Sequence, residues 1–259
     1  MVSSPDRRDA LRAAAAALAA GALTACGDGR PAPARPSARQ AAAPQPRSTP
    51  APAPRSLPGL PAQIEHGPRG AARVALTFHG NGDPATAHAV LREAERADAR
   101  LTVLAVGTWL DAHPELARRI LDGGHELGNH TQRHLDVCAM PEAEAYAEIT
   151  ACADRLRRLT GSIGSWFRPS RARHATPLVQ RLAARAGYPH VLSYDVDSLD
   201  FTSPGAAAVI RNVTGTVRNG SVVSLHLGYA DTVDALPALL EELARRGLRA
   251  VTTTELLTP

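Results

Sequence analysis

From residue 73 onward, short β-rich apolar runs alternate with stretches of helical periodicity, and that alternation limits what this chain can fold into more than any other feature. The β-rich runs fall at 73–78, 101–106, 125–128, 165–167, 191–194, 222–225 and 248–252. Between them lie helical stretches at 84–98, 114–121, 141–159, 177–186, 204–217 and 233–246. Strands separated by helices run parallel, because the crossover returns the chain to the same end of the sheet. Seven or so such units without a break for a second domain predict an α/β fold, a distorted (β/α)7-8 TIM-like barrel over residues 62–259.

The first 26 residues have another character. Arg7, Arg8 and Arg12 precede a short apolar run at 13–23, and Leu23-Thr24-Ala25-Cys26 sets small residues just before a cysteine. This resembles a bacterial lipoprotein signal with Cys26 as the lipid-carrying residue, and the Arg7-Arg8 pair also resembles a degenerate twin-arginine signal. An exposed Ala-rich helix or a membrane span are the alternatives, but the apolar run is too short to span. Residues 27–61 are Pro, Ala, Arg and Ser with almost no large apolar side chain, which predicts an extended, disordered tether. The expectation is an exported domain at the outer face of the cell membrane, touching the membrane through a lipid anchor only, and monomeric.

A formal charge of +4 invites a nucleic-acid reading, so its location matters. Up to Leu60 there are 8 Arg against 3 acidic residues; beyond it 21 Arg face 22 acidic ones. The basicity belongs to the leader and tether. The chain has no Lys and only 3% aromatics, so the basic, ring-studded groove of single-strand binders is missing and no nucleic acid partner is expected. All ten His lie after Leu60, which favours metal or proton-transfer chemistry in the domain.

Export would put Cys138 and Cys152 in an oxidising compartment. Cys152 falls on the helical stripe Ala145, Ile149, Cys152, Leu156 and Leu159, with Cys138 before that helix. The rise from Pro141 to Cys152 alone is about 16 Å, beyond disulfide reach, so two free thiols are expected, with Cys152 in the core.

His130 and His134, four apart beside a short apolar run, have metal-ligand spacing. On their own they are as well explained as ordinary surface or helix-start residues. Position argues for chemistry: His79, His130 with His134, Arg168, Asp197 with Asp200, and His226 each follow a β-rich run, so in a parallel barrel all point to the C-terminal rim. His66, His88, His113, His125 and His190 have no such support and are read as structural, His174 as a cap or surface residue, and Trp109 and Trp166 as core.

The segments Leu76-Thr77-Phe78, His130-Thr131-Gln132-Arg133-His134, Phe167-Arg168-Pro169, Asp197-Ser198-Leu199-Asp200-Phe201 and Ser224-Leu225-His226 resemble, in order, the five motifs of the NodB-homology polysaccharide deacetylases. The resemblance implies a NodB-type barrel, a metal-dependent hydrolase that removes acetyl groups from N-acetylated cell-surface glycan, and a divalent cation, usually Zn2+. It further implies His130 and His134 as metal ligands, His226 as general acid, Asp197 orienting His226, Arg168 holding the base, and Asp200 as the second acid of the fourth motif. Phe201 stands where the family usually has a tryptophan.

The first motif departs from the family. Its pattern is Thr-Phe-Asp-Asp-Gly, with one Asp as base and the next as metal ligand, whereas this chain reads Thr77-Phe78-His79-Gly80-Asn81-Gly82-Asp83. His79 is either the third metal ligand or the base. In the second case Asp83 would have to reach back across a flexible 80–82 stretch, although Asp83 before Pro84 is also an ideal helix cap. The remaining outcomes are a glycan-binding lipoprotein without turnover and an O-acetyl esterase.

Overall fold

The computed structural model describes residues 51–258. Cys26, the signal region and most of the tether lie outside the described residues. In chain order the elements are β1 (Gln63–Ile64), β2 (Arg73–Gly80), α1 (Pro84–Arg96), β3 (Thr102–Ala105), α2 (Gly107–Ala112), α3 (Glu115–Asp122), β4 (Glu126–Asn129) and α4 (Glu142–Thr160). They continue with α5 (Pro177–Arg185), β5 (Val191–Leu192), β6 (Val196–Asp197), α6 (Ala206–Thr214), β7 (Val222–His226), α7 (Ala230–Arg245), β8 (Arg249–Val251) and α8 (Thr253–Leu257).

The central sheet has the order β4-β3-β2-β7-β6, with β8 also on β2, and every strand pairing is parallel. Beyond β4 the pairing continues through single-residue bridges, Asn129 to Phe167 and Phe167 to Val191, then to β1, and His66 bridges Ser221 at the foot of β7. This last bridge is antiparallel, and the arrangement is consistent with a distorted barrel. The expected strand at 165–167 is only the Phe167 bridge, and the run at 191–194 is a two-residue strand. The two-residue strands β1 and β6, the one-and-a-half-turn α2 and the five-residue α8 are too short to leave a periodic signal, and none was expected from sequence.

Alternation along the strands sets which residues enter the barrel. Val74, Leu76 and Phe78 of β2, Val103 and Ala105 of β3, and Val223 and Leu225 of β7 join the large core beneath the helices. Ala75, Leu104 and Val222 join a smaller core with Ile64, Trp166, Leu192 and Leu256. Each fully buried Leu, Val or Phe contributes about 1.5–3 kcal/mol. On β2 the second phase carries Ala75, Thr77 and His79; on β7 it carries Val222, Ser224 and His226. A period of two therefore delivers both histidines to the interior at the strands' C-terminal ends.

The tether ends earlier than expected. Residues 51–61 lie on the domain: the Ala51 N–H donates to Thr160 O at 3.1 Å, Ser162 Oγ donates to Pro52 O at 2.8 Å, and the Leu57 N–H donates to His190 Nε2 at 3.0 Å. Leu57 and Leu60 pack against the smaller core, and these two apolar side chains give the segment something to bury. The cysteines are free, Cys152 buried and Cys138 half-buried, and the 145–156 stripe faces inward. Trp109 and Trp166 are both core residues, each 4% exposed. Among the described residues no helix is long and apolar enough to cross a membrane.

Candidate active site

Three imidazoles meet where β2, β4 and β7 end. His79 stacks on His130 with ring centroids 4.3 Å apart, meets His226 edge-on at 4.3 Å, and His130 lies 5.0 Å from His134. Beneath them Arg168, the largest fully buried side chain, donates from Nε to Leu192 O at 3.2 Å and from Nη2 to Ser193 O at 2.9 Å. Its guanidinium also lies 5.3 Å from the Tyr194 ring centroid. Burial lowers the Arg168 pKa to about 10, which leaves it a cation at neutral pH.

The hydrogen bonds from Arg168 outward have one consistent proton arrangement. Arg168 has only donors, so His79 Nε2, 3.2 Å from Nη1, accepts. Burial, then the charges of His130, His226, Arg168 and His134, keep the His79 pKa well below the ordinary histidine value. Neutral His79 therefore carries its proton on Nδ1 and donates to His226 Nε2 at 2.8 Å. His226 in turn carries its proton on Nδ1 and donates to Asp200 Oδ1 at 2.7 Å. Asp200 is fully buried and also accepts the His226 N–H at 2.8 Å and Thr232 Oγ1 at 2.6 Å. Burial pushes the Asp200 pKa up, but the hydrogen bonds and charge of His226, with Thr232, outweigh it and the net direction is down.

This geometry corrects the assignment of Asp197. The residue that orients His226 is Asp200, held by a turn over Asp200–Thr202 whose preceding residue, Leu199, has φ 55°. Asp197 accepts the Leu199 N–H at 3.1 Å and supplies negative charge near Arg168 and Tyr194. Spacing alone could not separate the two acids, because they are three residues apart across a turn with no sequence signature. Phe201 is exposed at the site's edge, 5.4 Å ring to ring from His226. Tyr229, missed from sequence, stands 5.8 Å away on the other side.

The 80–82 stretch is pinned. Gly82 O accepts Trp109 Nε1 at 2.9 Å, and the Gly82 backbone, at φ 107°, runs so close to Gly228 that a Cβ would lie 2.4 Å from its Cα. At Gly80 a Cβ would come within 3.0 Å of the Ala105 backbone. Asp83 is exposed and caps α1, accepting the Ala85 N–H at 2.8 Å. It is a cap, and the loop gives it no path back to the histidines.

A divalent metal finds two donors here. His130 Nδ1 faces Arg168 O at 3.0 Å, while its Nε2 is buried with no partner, as a ligand atom would be, and His134 lies beside it. His79 was one candidate for the third ligand, with the base as its other role, but both its nitrogens are engaged, by Arg168 and His226. Among the described residues no group of three His, Cys, Asp or Glu side chains is arranged to hold a metal ion. The pair does not complete the three-donor set of a hydrolytic zinc site.

Three of the other histidines make contacts away from the site. His125 accepts the Leu101 N–H at 3.1 Å, His190 bonds the 57–61 segment, and His174 is an exposed partner of Glu65 at 3.3 Å.

The cleft above the histidines, about 330 Å3, is lined by His79, His134, His226, Tyr194, Phe201 and Tyr229 among others. Left-handed backbone collects around it: of six non-glycine residues with positive φ in the described chain, Thr131, His134, Arg171, Leu199 and Ser203 lie in its loops. Such residues cost about 1 kcal/mol or more each and cluster at functional sites.

Residues 66–191 match the polysaccharide deacetylase family. The chain is 31% identical to a peptidoglycan-N-acetylglucosamine deacetylase of Bacillus cereus, over 71% of this chain and 87% of that protein. It is 30% identical to a chitooligosaccharide deacetylase of a Bradyrhizobium species, over 69% and 87%. Among solved structures, a peptidoglycan N-acetylglucosamine deacetylase superposes with TM-score 0.71 at 26% identity, covering 76% of this chain and 92% of that one. A pseudoenzyme of the same carbohydrate esterase family from Bacillus anthracis shares the fold, with TM-score 0.72 at 22% identity over 77% and 70%. Sequence similarity across most of both chains, carried on a rim where the five motifs meet, makes this chain a member of the polysaccharide deacetylase family.

Proposed function

We infer that this rim removes acetyl groups from N-acetylated cell-surface polysaccharide, as a hydrolase of carbon–nitrogen bonds. The observation that carries the reading is a cleft lined by His79, His134 and His226 and backed by buried His130, Arg168 and Asp200, in a chain similar over most of its length to deacetylases of peptidoglycan and chitin fragments. His226, backed by a buried carboxylate that would stabilise its imidazolium, is built to pass a proton to a leaving amine. Arg168 fixes His79, and Tyr194, Phe201 and Tyr229 offer ring faces to a sugar.

Deacetylases of this family are generally metal-dependent. The described residues supply two imidazole donors, His130 and His134, a ligand type that suits zinc among other transition ions, and zinc is the ion to supply first. The leader supports export and tethering through Cys26 at the outer membrane face, where such a glycan lies.

One observation favours a second reading, a glycan-binding lipoprotein without turnover. His79 replaces the family's first carboxylate and occupies His226 Nε2, the atom a general acid must present. Acetate release from N-acetylated peptidoglycan and chitin oligomers, with zinc supplied, separates the two. Release by the wild type that is lost in His226→Ala supports the hydrolase. No release from either glycan, with binding retained, leaves the binder.

A further inference from the structure

Beyond the histidines, the cleft carries an excess of unpaired positive charge. Arg171 and Arg173 line it, both exposed, and among the described residues neither forms an ion pair with a carboxylate. Arg173 donates from Nε to Tyr194 O at 3.2 Å, and its guanidinium lies 5.2 Å from the Tyr194 ring centroid, which aims it across the cleft wall. Asp197 is the one acid on the lining, and it sits against buried Arg168 and Tyr194. Against that one acid stand the two guanidinium groups of Arg171 and Arg173.

Arg171 adds a second, independent sign. Its φ is 55°, in the left-handed region where Gly or Asn would be cheap and a long side chain costs about 1 kcal/mol or more. A residue kept there for packing would be buried, and Arg171 is exposed. The strained backbone turns its side chain to the cleft lining.

We propose that Arg171 and Arg173 form an anion-recognition subsite, and that the glycan bound here bears a carboxylate next to its N-acetyl group. A sugar carrying an acidic ether substituent, such as N-acetylmuramic acid, has this chemistry; an unsubstituted chitin oligomer does not. Guanidinium groups suit it because they offer planar, paired donors to a carboxylate. The inference deepens the proposed function and rests on the cleft being the glycan site.

The test uses the protein with its rim intact and two matched probes: a peptidoglycan fragment with free muramyl carboxylates, and the same fragment with those carboxylates converted to methyl esters. Affinities are measured by calorimetry, and acetate release is followed in parallel. Wild type is expected to bind the free acid about tenfold more tightly, the size of one net charge-assisted contact. The preference should shrink as salt rises, and the ratio should fall toward one in the Arg171→Ala, Arg173→Ala double variant. Equal affinities in the wild type, a preference that survives in the double variant, or binding of neither fragment would overturn the subsite. A preference with no acetate released from either fragment would keep the subsite and count against the hydrolase.

Discussion

Two buried polar side chains inside the same barrel, Glu126 low in it and His130 at its rim, are treated in opposite ways. Low in the barrel, at the start of β3 and β4, Glu126 is 4% exposed and fully engaged: it accepts Thr102 Oγ1 at 3.2 Å, Trp166 Nε1 at 3.1 Å, the Thr254 N–H at 3.2 Å and Thr254 Oγ1. Thr102 in turn accepts the Thr253 N–H at 2.8 Å, tying α8 beneath the sheet. At the rim, His130 is equally buried but its Nε2 has no partner, and the loops around it take left-handed backbone. The Glu126 network ties the lower strands to α8, although His125 Nε2 beside it has no hydrogen-bond partner; at the rim an unsatisfied atom coincides with strained backbone, where a ligand would meet both.

The largest effect expected at the rim comes from Asp200→Ala. Three donors lose a buried acceptor, so unfolding stability should fall by about 3 kcal/mol and acetate release with it, whereas Asp197→Ala should cost less than about 1 kcal/mol. Urea denaturation of the two variants checks this, and equal losses would return the orienting role to Asp197. Arg168→Met comes next. It strands the Leu192 and Ser193 carbonyls and frees His79 Nε2, for an expected loss of about 2 kcal/mol. The sharper readout is the His79 imidazole nitrogen resonances, which should show a change in tautomer population.

Acid should weaken the fold as well. His79, His130 and His125 are each held below the ordinary histidine value, first of all by burial. The unfolded chain therefore binds these protons more readily, and stability drops as pH falls through the unfolded value of about 6.5, by up to ~1.4 kcal/mol per pH unit for each histidine. The loss levels off once pH passes below the folded values. A urea midpoint unchanged between pH 7.5 and 5.5 would contradict this, and His125→Gln, far from the rim, should remove only one share of it. The smallest effect belongs to Asp83→Ala: loss of the cap on α1 should cost about 1 kcal/mol, read as a shift of the urea midpoint.

Much of this arrangement was legible in the sequence, for identifiable reasons. Their positions just after β-rich runs put His79, His130, His134, Arg168 and His226 at the same rim. Asp83 before Pro84 read correctly as a helix cap. What escaped depended on contacts between distant segments. Asp200 rather than Asp197 holds His226 because a turn folds back toward Thr232, and the 80–82 loop is rigid because Trp109 and Gly228 grip it. The docking of residues 51–61 depends on Leu57, Leu60 and His190, which only the fold brings together.

The most direct test sets the two regions against each other: acetate release from N-acetylated peptidoglycan, with zinc supplied, by wild type, His130→Ala and Glu126→Ala, each alongside its urea midpoint. The wild type should release acetate, His130→Ala should stay folded and release none, and Glu126→Ala should lose about 2–3 kcal/mol yet keep activity at temperatures where it is folded. A wild type that releases no acetate, or variants whose activity merely tracks their stability, would contradict the assignment of the rim as the catalytic site.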